Sequence, residues 1–187
     1  MGDSIRTTRH NPVAHHRRSI HISGFDYATP GLYFIALCAY RRKLIFGRIQ
    51  AGVVVLNAIG QSVLRIWEEV PSFCLGVGLD DCVVMPDHVH AALSLRGVAA
   101  SGIDGLTLHE VVRRFKSTTS TRYLQALKSA GRPSPGTGLW QRGYLEHVIR
   151  DEDDRDAIRW YIAENAASWE ADAFIRRVDA RRRRAKQ

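Results

Sequence analysis

The sequence predicts an α+β domain, a mainly antiparallel sheet with helices packed on it. Two observations carry this. Short apolar runs bounded by turn residues alternate with longer stretches of 3–4 spacing, in the order β-β-β-α-β-β-α-β-α, which lacks the strict βαβ alternation of a wound parallel sheet. The chain has 187 residues, enough for one domain with a substantial core. At 45% hydrophobic and 25% charged it is not a disordered chain, a collagen-like chain or a disulfide scaffold.

Taken in order, residues 1–20 are a polar, basic arm. Gly31 to Tyr40 follows Thr29-Pro30 and is continuously apolar, a buried strand. Arg41-Arg42-Lys43 interrupts it. Leu44 to Ile49 and Val53 to Ile59 make two more strands around a turn at Gln50-Ala51-Gly52. Gly60 opens a helix with Val63, Ile66, Trp67 and Val70 on one face, closed by Pro71. Val77 to Leu95 reads as a long extended run in which Pro86-Asp87 marks either a turn between adjacent strands or a bulge. After a Gly-rich linker, Arg96 to Gly105, Thr107 and Glu110 form a capping box for a helix from Leu108 to about Leu127. Gly131 to Gly138 is a loop, and Leu139 to Ile149 a strand. Asp151 to Asp154 then supplies the acidic start that a helix dipole prefers, for a helix ending near Trp169. The expected organisation is an arm (1–20), a domain (21–170) and a basic tail (171–187).

Of the formal net charge of +8, residues 1–21 carry +3 and residues 176–187 carry +6, leaving the body at −1. Basic ends around a neutral body favour a polyanionic partner, most simply nucleic acid; the other reading is a pair of solubilising tails. Arg17 and Arg18 are the arm's candidate nucleic-acid contacts. Cys38, Cys74 and Cys82 form no C-x-x-C pair and lie in apolar runs, as small core residues do in a reducing compartment. No apolar stretch approaches the roughly 18 residues a bilayer requires, and the N-terminus has no apolar leader. A cytoplasmic, nucleoid-associated protein with no membrane partner is the expectation.

The sharpest local feature is His88-Val89-His90. In a strand the two imidazoles stand on one face with Val89 turned to the other, and such a pair can converge on a divalent ion. The same pattern also arises where two histidines merely cover a polar face. Tyr161 and Asn165, four apart, share one face of the last helix. Brought over the histidines, an amide oxygen would complete a metal site that polarises a phosphate, and a phenol would attack the phosphorus to give a phosphotyrosine. A helical Tyr can equally be packing.

His88-Val89-His90, the stretch Leu139 to Asp151, and Tyr161-Ile162-x-x-Asn165 occur in an order and spacing that resembles the single-tyrosine HUH transposases, most closely the REP-associated tyrosine transposases of bacteria. Arg18-Ser19-Ile20, Tyr33-Phe34-Ile35, Leu44 to Gly47, Leu56-Asn57-x-x-Gly60, Val84 to Asp87 and Phe115-Lys116-Ser117 agree, so the resemblance covers about residues 17 to 170. It implies a ferredoxin-like sheet with the histidine pair on a central strand. It implies Mg2+ or Mn2+ held by His88, His90 and Asn165, with Tyr161 as the nucleophile. The implied substrate is single-stranded DNA with a hairpin, cleaved to a 5′-phosphotyrosine and a free 3′-OH. The implied state is a monomer, with the homodimer of insertion-sequence relatives as the alternative. Ala166 stands where the family usually has Pro, which removes a helix stop and no chemical group. A domesticated relative that binds hairpins without turnover is the alternative, and retention of all four site residues argues against it.

Other residues carry two readings each. Lys116 touches phosphate or is a solvated helix face. Trp140 and Arg142 stack on a base and grip phosphate, or Trp140 anchors its strand to the core. His147 approaches the site or packs. Asp87 orients a histidine or simply ends a turn.

Overall fold

The computed structural model describes residues 29–96 and 106–184, those from 170 onward as backbone. The arm with Arg17 and Arg18, and nearly all of the Gly-rich linker, lie outside the described residues.

Strand β1 (Gly31–Cys38) is followed by a tight turn, Tyr40–Arg42, and by the hairpin β2 (Gly47–Gln50) and β3 (Val53–Leu56). Helices α1 (Ala58–Glu68) and α2 (Val70–Phe73) lead to β4 (Val77–Met85) and β5 (His88–Leu95). Helix α3 (Leu108–Ser129), β6 (Leu145–Ile149) and α4 (Glu152–Arg184) complete the chain. The main sheet has the order β4-β5-β1-β6, every pairing antiparallel. With the β2–β3 hairpin set aside, β1-α1-β4-β5-α3-β6 is a ferredoxin-like βαββαβ unit, and β5 is an inner strand as expected.

Strand alternation divides the sheet into two differently used faces. Tyr33, Ile35 and Leu37 of β1, with Val89, Ala91 and Leu93 of β5, pack against Val63, Ile66 and Trp67 of α1 and Val111, Val112 and Phe115 of α3. This is the main core; each fully buried aliphatic chain contributes about 1.5–3 kcal/mol of transfer energy. Phe34, Ala36, Ala92 and Ile149 face the other way, against Ile158 and Ile162 of α4. His88 and His90 share that second face, since His90 is opposite Ala36 and His88 opposite Cys38 in the β1–β5 register.

Several boundaries differ from expectation for identifiable reasons. The third strand stops at Leu56, because Asn57 caps α1: its Oδ1 accepts from the Ile59 and Gly60 N–H groups at 2.9 and 3.0 Å. Gly60 therefore lies inside the first turn, where a Cβ would collide with the Phe46 carbonyl. Pro71 opens the short α2. Pro86-Asp87 is a two-residue hairpin turn, and the bulge lies elsewhere, between Leu79 and Cys82. The strand expected over Leu139 to Ile149 is only Leu145–Ile149; upstream, Trp140 makes an isolated bridge to Ala39. Thr107 Oγ1 does accept from Glu110 N–H at 3.1 Å, but the Glu110 carboxylate turns to Arg113 and Arg114. The last helix does not end near Trp169. It starts from an Asp151 cap, whose Oδ1 accepts from Asp154 N–H at 2.8 Å, and its backbone stays helical through the expected tail to Arg184.

Candidate active site

The site forms where β5 lies under α4. His88 and His90 are buried at 4% and 5% exposure, with ring centroids 4.3 Å apart. Val89 between them is in the core, as strand alternation requires. Helix α4 brings Tyr161 and Asn165 onto them: the Tyr161 ring is 5.1 Å from that of His90, and the Asn165 amide lies 3.0 Å from His90 Nδ1. Phe34 packs edge-on to Tyr161 at 6.0 Å and against His90 at 5.4 Å, fixing both rings from below. All four expected residues are thus brought together from elements about 70 residues apart in sequence.

Burial pushes the His88 imidazole below its ordinary pKa, against the pull of the Asp87 and Asn165 hydrogen bonds. Burial, then the His88 and Arg42 charges, holds His90 well below the ordinary value. Both rings are therefore neutral near pH 7 and keep a lone pair for a Lewis acid. Among the described residues no trio of His, Cys, Asp or Glu forms a metal cage. The donor set is instead two neutral imidazoles and an amide that offers oxygen after a half-turn, which fits a divalent ion completing its shell with water or phosphate oxygens.

Asp87 takes the orienting role. Its Oδ1 is 2.6 Å from His88 Nδ1, and its Oδ2 is 3.0 Å from Arg42 Nε. Two further features were not read from the sequence. Trp169 stacks over His88 at 5.4 Å, continuing the Tyr161–Asn165 stripe by four residues, which is the spacing that could have revealed it. Asp80 of β4 receives Arg159 Nη2 at 2.9 Å and Arg155 Nε at 3.0 Å, pinning α4 to the sheet one turn before Tyr161. Two arginines at i and i+4 facing an acidic residue in an apolar strand were the available sign.

The remaining residues go elsewhere. Trp140 is a core residue, 7% exposed, its Nε1 donating to Thr119 Oγ1 at 2.8 Å and its ring packed on Phe46 and Phe115; it has no open face for a base. Lys116 is not a solvated helix face. Its ammonium donates to the Gln141 and Gly143 carbonyls at 2.9 and 3.0 Å, and burial draws its pKa down to about 8. Arg142 is exposed on the loop so held. His147 pairs with Asp154 at 2.8 Å beside the start of α4, a packing role.

A ferredoxin-like sheet carrying a histidine pair beneath a tyrosine-bearing helix defines the class of protein. Residues 32–165 match the family described as transposase, IS200-like, and the chain belongs to that family. Its role is DNA transposition. A Haemophilus influenzae relative described only as an uncharacterized protein is 33% identical, over 89% of this chain and 97% of its own. Among solved structures, a candidate transposase of Deinococcus radiodurans is similar at 18% identity and TM-score 0.49, covering 75% of this chain and 92% of its own. A REP-associated tyrosine transposase bound to a REP hairpin is similar at 19% identity and TM-score 0.49, covering 72% and 66%. Among the described residues no helix is long and apolar enough to cross a membrane.

Proposed function

We propose that this transposase is a metal-dependent endonuclease and strand transferase for single-stranded DNA, acting through a covalent 5′-phosphotyrosine at hairpin-forming repeats. The observation that carries the reading is the delivery of Tyr161 and Asn165, one helical turn apart, onto the buried His88–His90 pair. His88, His90 and Asn165 would hold Mg2+ or Mn2+, which supplies charge neutralisation and polarisation of a phosphate when bound. Asp87 keeps the His88 ring oriented, while Phe34 packs on His90 and Trp169 on His88. The Tyr161 oxygen forms a bond to phosphorus as its phenolic proton is released, the bond from phosphorus to the 3′ oxygen breaks, and that oxygen takes up a proton in exchange and leaves as a 3′-OH. Attack by a 3′-OH on the phosphotyrosine reverses the step and joins strands.

The test is covalent trapping. Labelled single strands covering both strands of the DNA flanking the gene are incubated with the protein and Mn2+ or EDTA. An adduct that survives SDS, requires the metal, and is absent in Tyr161→Phe and His88→Ala is expected. Hairpin binding with no adduct would replace this reading with that of a catalytically silent binding module.

A further inference from the structure

The turn that ends β1 is strained, and it ends beside His88. Arg41 has φ 55° and ψ 27°, and Arg42 has φ 53°, the left-handed region in which Asn-Gly would be the relaxed pair. Neighbouring backbone holds it there. Ala39 N–H donates to the Asp87 carbonyl and Tyr40 N–H to that of Leu139, both at 2.8 Å, and Arg42 N–H donates back to Ala39 at 2.9 Å. The strain places cations. Arg42 lays Nε on Asp87 Oδ2 at 3.0 Å and Nη1 on Cys38 Sγ at 2.9 Å, while 41% of its side chain stays open to solvent. Asp87, by contrast, is 5% exposed and already engaged with His88 through its other oxygen. Arg41 and Lys43 are exposed, and among the described residues Arg42–Asp87 is the only ion pair the three cations make. Gln141 N–H donates to the Cys38 carbonyl at 2.8 Å, which brings the loop bearing Arg142 to the same end of the strand.

We propose that the Arg41–Arg42–Lys43 turn is a phosphate seat for the single-stranded substrate, in which Arg42 is also a positioning residue, fixing Asp87 and through it His88. The inference rests on the single-stranded DNA reading above and names how that DNA is held. A guanidinium with one edge on a buried carboxylate and one in water has donors left for a phosphate, and its planar fork suits both partners at once. A turn built only for chain reversal would carry glycine or asparagine here.

The experiment uses the full chain with two probes: Mn2+ alone, followed by electron paramagnetic resonance, and a mixed-sequence 12-nucleotide single strand, followed by fluorescence anisotropy across salt. Arg41→Gly is expected to melt higher than the wild type, because the strain is relieved, yet to bind the oligonucleotide several-fold more weakly. Its salt slope should fall by about 0.7, the value for one lost phosphate contact on a single strand. Arg42→Gln is expected to lose affinity for the oligonucleotide and roughly tenfold or more for Mn2+. Arg42→Lys should recover the oligonucleotide affinity and not the Mn2+ affinity. Unchanged salt slopes in Arg41→Gly and Arg42→Gln, beside a wild type that binds, would overturn the phosphate seat and leave the functional reading standing. Unchanged Mn2+ affinity in Arg42→Gln would overturn the positioning role. A wild type that binds no single strand would sink the functional reading and the seat with it.

Discussion

Substituting Asp80 by Asn should loosen the helix that carries Tyr161 while leaving every residue of the site in place. Asp80 is 11% exposed and receives hydrogen bonds from two guanidiniums, of Arg155 and Arg159, which are 28% and 41% exposed. Charge-assisted bonds of this kind contribute about 1.5–3 kcal/mol each when buried, and much less with a partner in water. Discounting for the exposed arginines leaves a loss of about 1–2 kcal/mol. For a chain of this length that lowers Tm by about 2–8 °C. Burial pushes the Asp80 carboxyl up, but the Arg159 and Arg155 guanidiniums outweigh it and hold the group below the ordinary value. The folded chain therefore takes up this proton at lower pH than the unfolded chain. The stabilisation is complete above the ordinary carboxyl range, near pH 4, and is lost as pH falls through the folded value. Urea unfolding of wild type and Asp80→Asn at pH 7 and pH 3 checks both parts: a clear difference at pH 7 that shrinks at pH 3. Equal stability at pH 7, or a gap that widens in acid, would refute the clamp.

Four further outcomes follow from the packing. Gly60→Ala should destabilise by about 2 kcal/mol in urea unfolding, although an exposed helical Gly→Ala stabilises by about 1, because the new Cβ meets the Phe46 carbonyl. Trp140→Ala should cost about 3–5 kcal/mol by the same assay, as for a core aromatic; loss of DNA binding with stability retained would restore a stacking role. Lys116→Ala should speed amide hydrogen exchange at Gln141 to Gly143 without disturbing Trp140, whose bond to Thr119 is separate. Asp151→Ala should cost about 1 kcal/mol in thermal unfolding through loss of the α4 cap.

What was legible in the sequence was periodic or local. The i, i+2 histidines and the i, i+4 pair Tyr161 and Asn165 each fix a face, and a face is most of what this site needs. The Thr107 cap was readable for the same reason. Asn57 was equally local, and its competing fit to a strand ending at Ile59 obscured it. Trp140 shows the other limit: an aromatic beside Gln141 and Arg142 reads as a base-stacking group, and only the tertiary neighbours Phe46, Phe115 and Thr119 reveal a core residue. Lys116 depends on partners 25 or more residues away, which no spacing rule reaches, while the i, i+4 spacing of Arg155 and Arg159 marks a face without saying that Asp80 meets it. The left-handed Arg41 and Arg42 run against their own turn propensities, so local chemistry pointed away from them.

Tyr161 and Asn165 ride on one stiff rod, about 6 Å apart along its axis. They cannot be misplaced independently. Any motion that lifts the rod withdraws the proposed nucleophile and the proposed ligand in a single stroke, and any motion that seats it returns both. A site with the proposed ligand seated and the proposed nucleophile astray is a state this architecture has little room for. If Tyr161 cuts DNA as proposed, that all-or-none character is a safety catch on the cut.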